Sequence, residues 1–275
     1  MSKEVLLPSL EKGFRPDGRA LDQFRQIKIE LDVSKSAEGS ARVRFGETEV
    51  IAGVKLAVEL PYADFPDQGK LSVNAELLPI SNPEFEFGPP SLWAIELARV
   101  VDRGIRESKA IDFNTLCLNK GKEVWSIAID ICTINDSGNI LDASALAALA
   151  ALQCAYFPKY ENGIINYLER TNKRLELNHF PIQVTVYKIG NYFLIDPTHE
   201  EEKVIDARLS FTFMENGKIC AIQKGGDEAL AFEEVMQMLD LAKAKSEELR
   251  KILKAATVIP ETHKHQKIVP YDGES

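Results

Sequence analysis

The chain has 275 residues, 45% of them hydrophobic, and sets 33 Lys and Arg against 42 Asp and Glu for a formal net charge of -9. At ~150 residues per domain this is one large domain or two modest ones, able to bury a core without disulfides or a structural metal. The acidic balance excludes polyanion binding by bulk positive charge, and 27% charged residues with 13 prolines exclude a largely disordered chain.

Residues 1–30 read as a lead-in, with Gly13-Phe-Arg-Pro-Asp-Gly-Arg19 as its irregular punctuation. No apolar run there is long enough for a signal peptide, and none elsewhere approaches the ~20 residues that span a bilayer. A first module is expected over 31–165. Strands are predicted at 27–31, 40–45 and 49–58, the last two joined by a tight turn at Gly46-Glu47. A long loop containing Pro79, Pro83, Pro89 and Pro90 leads into a helix over 92–108. Strands at 116–118 and 124–133 follow, then a turn at Asp136–Asn139 and an alanine-rich helix over 143–155. A polar stretch at about 158–178 separates this block from a second module over 182–256. That module has strands at 182–188, 192–195, 207–214 and 220–223 and a closing helix from about 228 to 255. Strands bunched ahead of helices predict an α+β fold rather than a doubly wound sheet. The tail at 257–275, with His263 and His265, is expected to be loosely held.

Cys117, Cys132, Cys154 and Cys220 are widely spaced and form no metal-ribbon pair, so they read as reduced thiols in a cytoplasmic protein, with no metal site. Two features invite a functional reading. In the helix over 92–108, Leu97, Val101 and Ile105 form an apolar stripe, and Arg99, Arg103 and Arg106 lie nearly opposite. Three guanidinium forks suit nucleic-acid phosphates. The spacing equally allows the helix-surface pairs Glu96–Arg99, Asp102–Arg106 and Arg103–Glu107. The second feature is Asp196-Pro-Thr-His-Glu-Glu-Glu202 with Asp206, either an exposed acidic loop or a cation or proton site.

Three segments in order resemble the RNase PH family: Phe14-Arg-Pro-Asp-Gly-Arg19, Ala37-Glu-Gly-Ser-Ala-Arg-Val-Arg-Phe-Gly-Glu-Thr-Glu-Val-Ile-Ala-Gly53 and Glu96-Leu-Ala-Arg-Val-Val-Asp-Arg-Gly-Ile-Arg106. Asn74-Ala-Glu-Leu-Leu-Pro79 and Asp196-Pro-Thr198 resemble the archaeal exosome branch that pairs with the catalytic subunit. The resemblance implies an RNase PH-type fold (ribosomal protein S5 domain 2-like) of two βαβ modules packed together. It also implies a heterohexameric ring, a trimer of heterodimers with a catalytic paralogue, threaded by single-stranded RNA and topped by RNA-binding cap subunits, with no membrane. Active members carry a phosphate turn resembling Asp-Gly-Gly-Thr-Arg-Thr-Ala-Ser; here it is degenerate at Gly138, Asn139, Ile140 and Leu141, where the hydroxyl and the arginine are gone. Their paired acidic residues fall on Glu202 and Arg208 when counted from Asp196, or on Asp206 if a gap is allowed. An arginine there neither ligates Mg²⁺ nor moves a proton near neutral pH. The expectation is a chain with no catalytic residue and no cofactor, inorganic phosphate and Mg²⁺ belonging to the catalytic partner. Arg99, Arg103 and Arg106 are then expected to hold RNA for that partner during 3′-to-5′ phosphorolysis. The alternative is a phosphate-dependent 3′-to-5′ exoribonuclease with an atypical site built on Asp196, Glu202 and Asp206.

Overall fold

Along β3 (Thr48–Glu59) Val50, Ala52, Val54 and Leu56 are buried and the residues between them turn outward, the period-two signature of a strand covered on one face. It lies centrally in the first sheet of a computed structural model that describes residues 3–256. The sheet runs β1 (Ile27–Leu31), β2 (Gly39–Phe45), β3, β6 (Glu123–Asn135) and β4 (Lys70–Glu76), with β5 (Cys117–Asn119) paired to β6. In this sheet only β4 and β6 pair in parallel, and the chain between them forms α2 (Leu92–Glu107), so the first module contains the expected βαβ crossover. β4 is a strand that the proline-rich stretch conceals in the sequence.

The alanine-rich helix α3 (Ile140–Gln153) is buried on almost every side, which fits a helix held between two sheets. One side approaches β2 so closely that a side chain at Gly39 would collide with the backbone of Ala151 and Ala155. The other side meets the second sheet, ordered β10 (Tyr192–Ile195), β9 (Ile182–Ile189), β11 (Ala207–Phe213) and β12 (Ile219–Gly225). This sheet is antiparallel throughout and shares with the first a tight hairpin and a covering helix. Its register places Ile182, Val184 and Val186 opposite Phe213, Phe211 and Leu209. That face carries α5 (Phe232–Ala256), with Met238, Leu249 and Leu253 in the same core. The polar face, with Thr185, Ser210 and Thr212, turns toward α2 and α3.

Asp142 of α3 fastens the helix to β9. Fully buried, its carboxylate accepts from the Thr185 amide (2.9 Å), the Thr185 hydroxyl (2.7 Å) and the Gln183 side chain (3.2 Å). Burial pushes its pKa up to about 6 against those bonds, which pull it down.

Besides β4, two stretches depart from the sequence reading. The lead-in contains α1 (Lys3–Glu11), whose Leu6 and Leu10 join Tyr187, Ile189 and Leu194 in a small second core. The polar stretch at 158–178 does lie between the two larger sheets but is itself structured: β7 (Tyr156–Glu161) and β8 (Ile164–Arg174) form a hairpin that rests on the core through Phe157, Tyr160 and Ile165 and leaves most of β8 exposed. Among the described residues no helix is long and apolar enough to cross a membrane. The tail with His263 and His265 lies outside the described residues.

Candidate nucleic-acid interface and phosphate turn

Ser91 caps α2, its hydroxyl accepting from the Ala94 amide (3.2 Å), and the stripe of Leu97, Val101 and Ile105 is buried. The opposite face forms one wall of an open cleft of about 290 Å³, lined by Arg99, Asp102, Arg103, Arg106 and Glu107, with Val73 of β4 and Ala98 beside them. The structure therefore brings all three arginines together, in unequal states. Arg106 is held by Asp102 (2.7 and 3.0 Å), donates to the Leu71 carbonyl (3.1 Å) and lies over the Phe113 ring. The Asp102 hydrogen bond raises the Arg106 pKa against partial burial, with smaller contributions from the Asp102 charge and Tyr62. Arg103 donates to Gln223 of β12 (3.2 Å) instead of pairing with Glu107. Glu96 pairs with Arg208 rather than Arg99. Arg99 is exposed and has no ion-pair or hydrogen-bond partner among the described residues. One of the three helix-surface pairs that spacing allows is thus formed, and Arg99 is left as the freest cation of the cleft.

The turn ahead of α3 has the backbone shape of an anion cradle but is already filled. Gly138 (φ +94°) and Asn139 (φ +58°) are left-handed, and a side chain at Gly138 would run into the backbone of Pro197, Thr198 and His199. The Gly138 amide donates to Asp136 (2.9 Å), and the Asn139 amide donates to the Glu202 carboxylate (2.8 Å). Glu202 comes from α4 (His199–Glu202) and occupies the helix start where an oxyanion would otherwise sit. Burial first, opposed by the Asn139 amide and assisted by the Asp136 charge, raises its pKa to about 7. Ile140 and Leu141 point into the core. The residues present do not fit a bound phosphate, because both amides at the turn already serve the chain's own carboxylates.

The four acidic-site positions separate in space. Asp196 (φ +48°) is fully buried and accepts from the Arg25 amide (2.7 Å) and guanidinium (2.6 and 3.0 Å), Arg19 (3.1 Å) and the Asn139 side chain (3.1 Å). It is a structural keystone beside Glu202. Asp206 turns away, taking Lys3 of α1 and the Gly190 amide (2.7 Å). Arg208 turns to α2, bonding Glu96 (2.8 Å) and lying 4.8 Å over the Trp93 ring. Asp136, His199 and Glu202 do offer ligand atoms within 4.8 Å of one another, a geometry that could accept a cation. Both Asp136 oxygens, however, already bond the Gly138 amide and the Asn82 side chain (2.9 Å each).

Sequence reading missed the arginines that build this region. Arg15 is buried, pairs with Glu201 and donates to the carbonyls of Ile195 (2.9 Å) and Asp196 (2.8 Å). Arg25 bridges Asp196 to the Ser137 and Gly138 carbonyls (2.8 and 2.9 Å). Tyr187 donates to Asn139 and Glu202 (3.2 and 3.3 Å), and its burial holds the phenol pKa well above ordinary values. The only signal was the Arg-Pro-Asp-Gly-Arg phrase, which supplies Arg15 and Arg19.

The pattern of the 3′ exoribonuclease family, domain 1 (RNase PH), matches residues 23–158, and domain 2 matches residues 179–245. The chain belongs to the RNase PH family. It is 43% identical over 93% of its length to the exosome complex component Rrp42 of Methanopyrus kandleri, covering 96% of that protein. It is 45% identical over 92% of its length to the Rrp42 of Thermococcus kodakarensis, covering 94% of that one. Among solved structures, a chain of an Archaeoglobus fulgidus exosome with RNA bound to the active site superposes with a TM-score of 0.85. That pair shares 41% identity over 91% of this chain and 96% of the other. An RNase PH member with a carboxylate lodged in its phosphate turn is the chemical puzzle that remains.

Proposed function

We propose that this chain is a non-catalytic ring subunit of an archaeal-type RNA exosome. It would alternate with a catalytic RNase PH-like paralogue in a trimer of heterodimers, beneath RNA-binding cap subunits. It would work in the cytoplasm, where four widely separated thiols stay reduced. Family membership and exosome-component relatives support the assembly. The observation that carries the non-catalytic reading is the turn ahead of α3, whose Gly138 and Asn139 amides are taken by Asp136 and Glu202. A subunit that cannot seat phosphate leaves inorganic phosphate and Mg²⁺ to its partner and contributes Arg99, Arg103 and Arg106 as sequence-neutral contacts to the RNA backbone.

A phosphorolysis assay on labelled single-stranded RNA, with this chain alone, the paralogue alone and the two mixed, tests the reading. No nucleoside diphosphate should appear with this chain alone, and the mixture should outpace the paralogue. Turnover by the isolated chain would establish the alternative enzyme. The Asp136, His199 and Glu202 trio is the one geometric feature in that alternative's favour; the Asp196, Glu202 and Asp206 site it needs is not assembled, since Asp206 faces α1.

Alanine at Arg99, Arg103 and Arg106 together should weaken RNA binding by the intact ring by at least about tenfold at low salt. The slope of log affinity against log salt should become shallower by roughly 0.7 for each phosphate that is no longer neutralised. Unchanged affinity and slope would remove the cleft from the RNA path.

A further inference from the structure

Next to the arginine cleft the chain runs through the exposed turn Leu60-Pro-Tyr-Ala-Asp-Phe-Pro-Asp-Gln-Gly69. Tyr62 and Phe65 bridge one another, the Phe65 amide donating to the Tyr62 carbonyl (3.1 Å), yet their side chains face solvent at 59% and 54% exposure. Single exposed rings are common on protein surfaces, and Phe14, Phe87 and Phe232 are exposed here as well; what sets this turn apart is that Leu60, Tyr62 and Phe65 stand exposed together beside a cationic cleft. Nor is the turn slack: the Gly69 amide bonds the Phe113 carbonyl (2.8 Å), the Gly121 amide bonds Pro66 (2.7 Å), and Asp67 pairs with Lys120 (2.9 Å).

The turn is joined to the cleft through a short relay of groups. The Lys70 ammonium lies 4.8 Å from the Tyr62 ring centroid and is anchored to Glu59 (3.1 Å). The next residue, Leu71, gives its carbonyl to Arg106, which in turn covers Phe113. The turn thus adjoins the Arg106 end of the cleft, which holds a free cation at Arg99 and two restrained guanidinium groups. The helix rise from Arg99 to Arg106 is about 10 Å, enough to face more than one phosphate of an extended strand. The lining, Val73 and Ala98 with the three arginines, Glu107 and an Asp102 already engaged by Arg106, offers charge and apolar contact but no side-chain amide to read a base edge. Cations tracking a backbone beside a π-surface for bases form the arrangement of sequence-neutral single-strand binding.

We propose that Tyr62 is a base-stacking platform for single-stranded RNA whose phosphates lie across Arg99 and Arg103, in the cleft between α2 and β4. The proposal rests on the RNA-contacting role given above and adds the part of the nucleotide that is held: the base, by its face.

The test uses the ring assembled from the full chain and its catalytic partner, without inorganic phosphate so that no RNA is consumed. Binding is measured for a short oligoadenylate and for an abasic ribose-phosphate strand of the same length. Tyr62→Ala should weaken oligoadenylate binding by about tenfold and leave the abasic strand within about twofold, while Tyr62→Phe keeps both. Arg99→Ala should weaken both strands alike. If Tyr62→Ala leaves oligoadenylate unchanged or weakens both strands equally while Arg99→Ala weakens both, stacking is overturned and the RNA-contact reading survives. If neither variant affects either strand, both fall. Light scattering accompanies the binding; a ring that falls apart with Tyr62→Ala but not with Tyr62→Leu, or with both, would make the turn a protein contact and overturn the proposal. Full oligoadenylate affinity in Tyr62→Leu would overturn it as well, because bulk without a π-face would then suffice.

Discussion

Asp196→Ala is expected to destabilise the protein by about 3–5 kcal/mol, the range for breaking a buried ion pair from one side. The carboxylate is fully buried and serves Arg19, Arg25 and the Asn139 side chain at once. Without it Arg25, with only about a tenth of its side chain exposed, loses its one carboxylate within ion-pair distance among the described residues, while Arg19 keeps Asp17 (2.7 Å). Alanine also sits poorly at φ +48°, a region asparagine and aspartate tolerate. Asp196→Asn should therefore lose less, keeping the backbone shape and one acceptor while removing the charge. Urea denaturation is the measurement: a lower midpoint with unchanged slope for alanine, and an intermediate midpoint for asparagine. A loss below about 1 kcal/mol for alanine would mean the arginines find water or other acceptors when the carboxylate goes.

The second expectation concerns pH. Asp142 has its pKa raised to about 6 from the ordinary value of 3.8 by burial. Between these values the folded chain holds a proton that the unfolded chain has released, so stability from this group falls as pH rises through that window. Above pH 6 the native state carries the full cost of a buried charge, roughly 3 kcal/mol. Asp142→Asn removes the titration and can keep the bonds. The new carbonyl accepts from the Thr185 amide, and the new amide donates to the Thr185 hydroxyl or to a flipped Gln183, whose Oε1 now lacks a partner. The stability difference between variant and parent, from urea denaturation at about pH 4 and about pH 7.5, should shift by up to roughly 3 kcal/mol in favour of the variant. A difference that does not change with pH would show that Asp142 is not the titrating group.

Much of the scaffold follows from local pattern. The alternation in β2 and β3, the apolar stripe of α2 and the alanines of α3 each declare their element, because in each a single face or the whole surface meets the core. β4 was hidden although Leu71, Val73 and Ala75 turn inward between exposed Ser72, Asn74 and Glu76, because Pro61, Pro66 and Pro79 on either side mark the region as loop. The β7–β8 hairpin was hidden because most of β8 is exposed and polar and so shows no alternation, its few core contacts coming from Phe157, Tyr160 and Ile165. At the site, the cluster of Arg99, Arg103 and Arg106 was legible since one helix presents all three. The filling of the phosphate turn was legible only in part. Loss of the hydroxyl and the arginine could be read at Ile140 and Leu141, but the arrival of Glu202 at the Asn139 amide depends on packing across 63 positions of sequence. Asp206 and Arg208, two residues apart, face different elements because one ends a loop and the other has entered β11.

The arginines of the lead-in meet their carboxylates late. Arg25 and Asp196 are 171 positions apart, and Arg15 and Glu201 are 186. At a synthesis rate of about 5–20 residues per second, Arg25 leaves the ribosome on the order of ten to thirty seconds before its counter-charge exists. Through that interval the first sheet has neither the second layer over α3 nor the clamp on its leading edge, and its apolar inner face is open to solvent or to other chains. The nascent first module is thus the stage at which this protein is most exposed to aggregation, and the closing of Asp196 onto Arg19 and Arg25 marks the end of it.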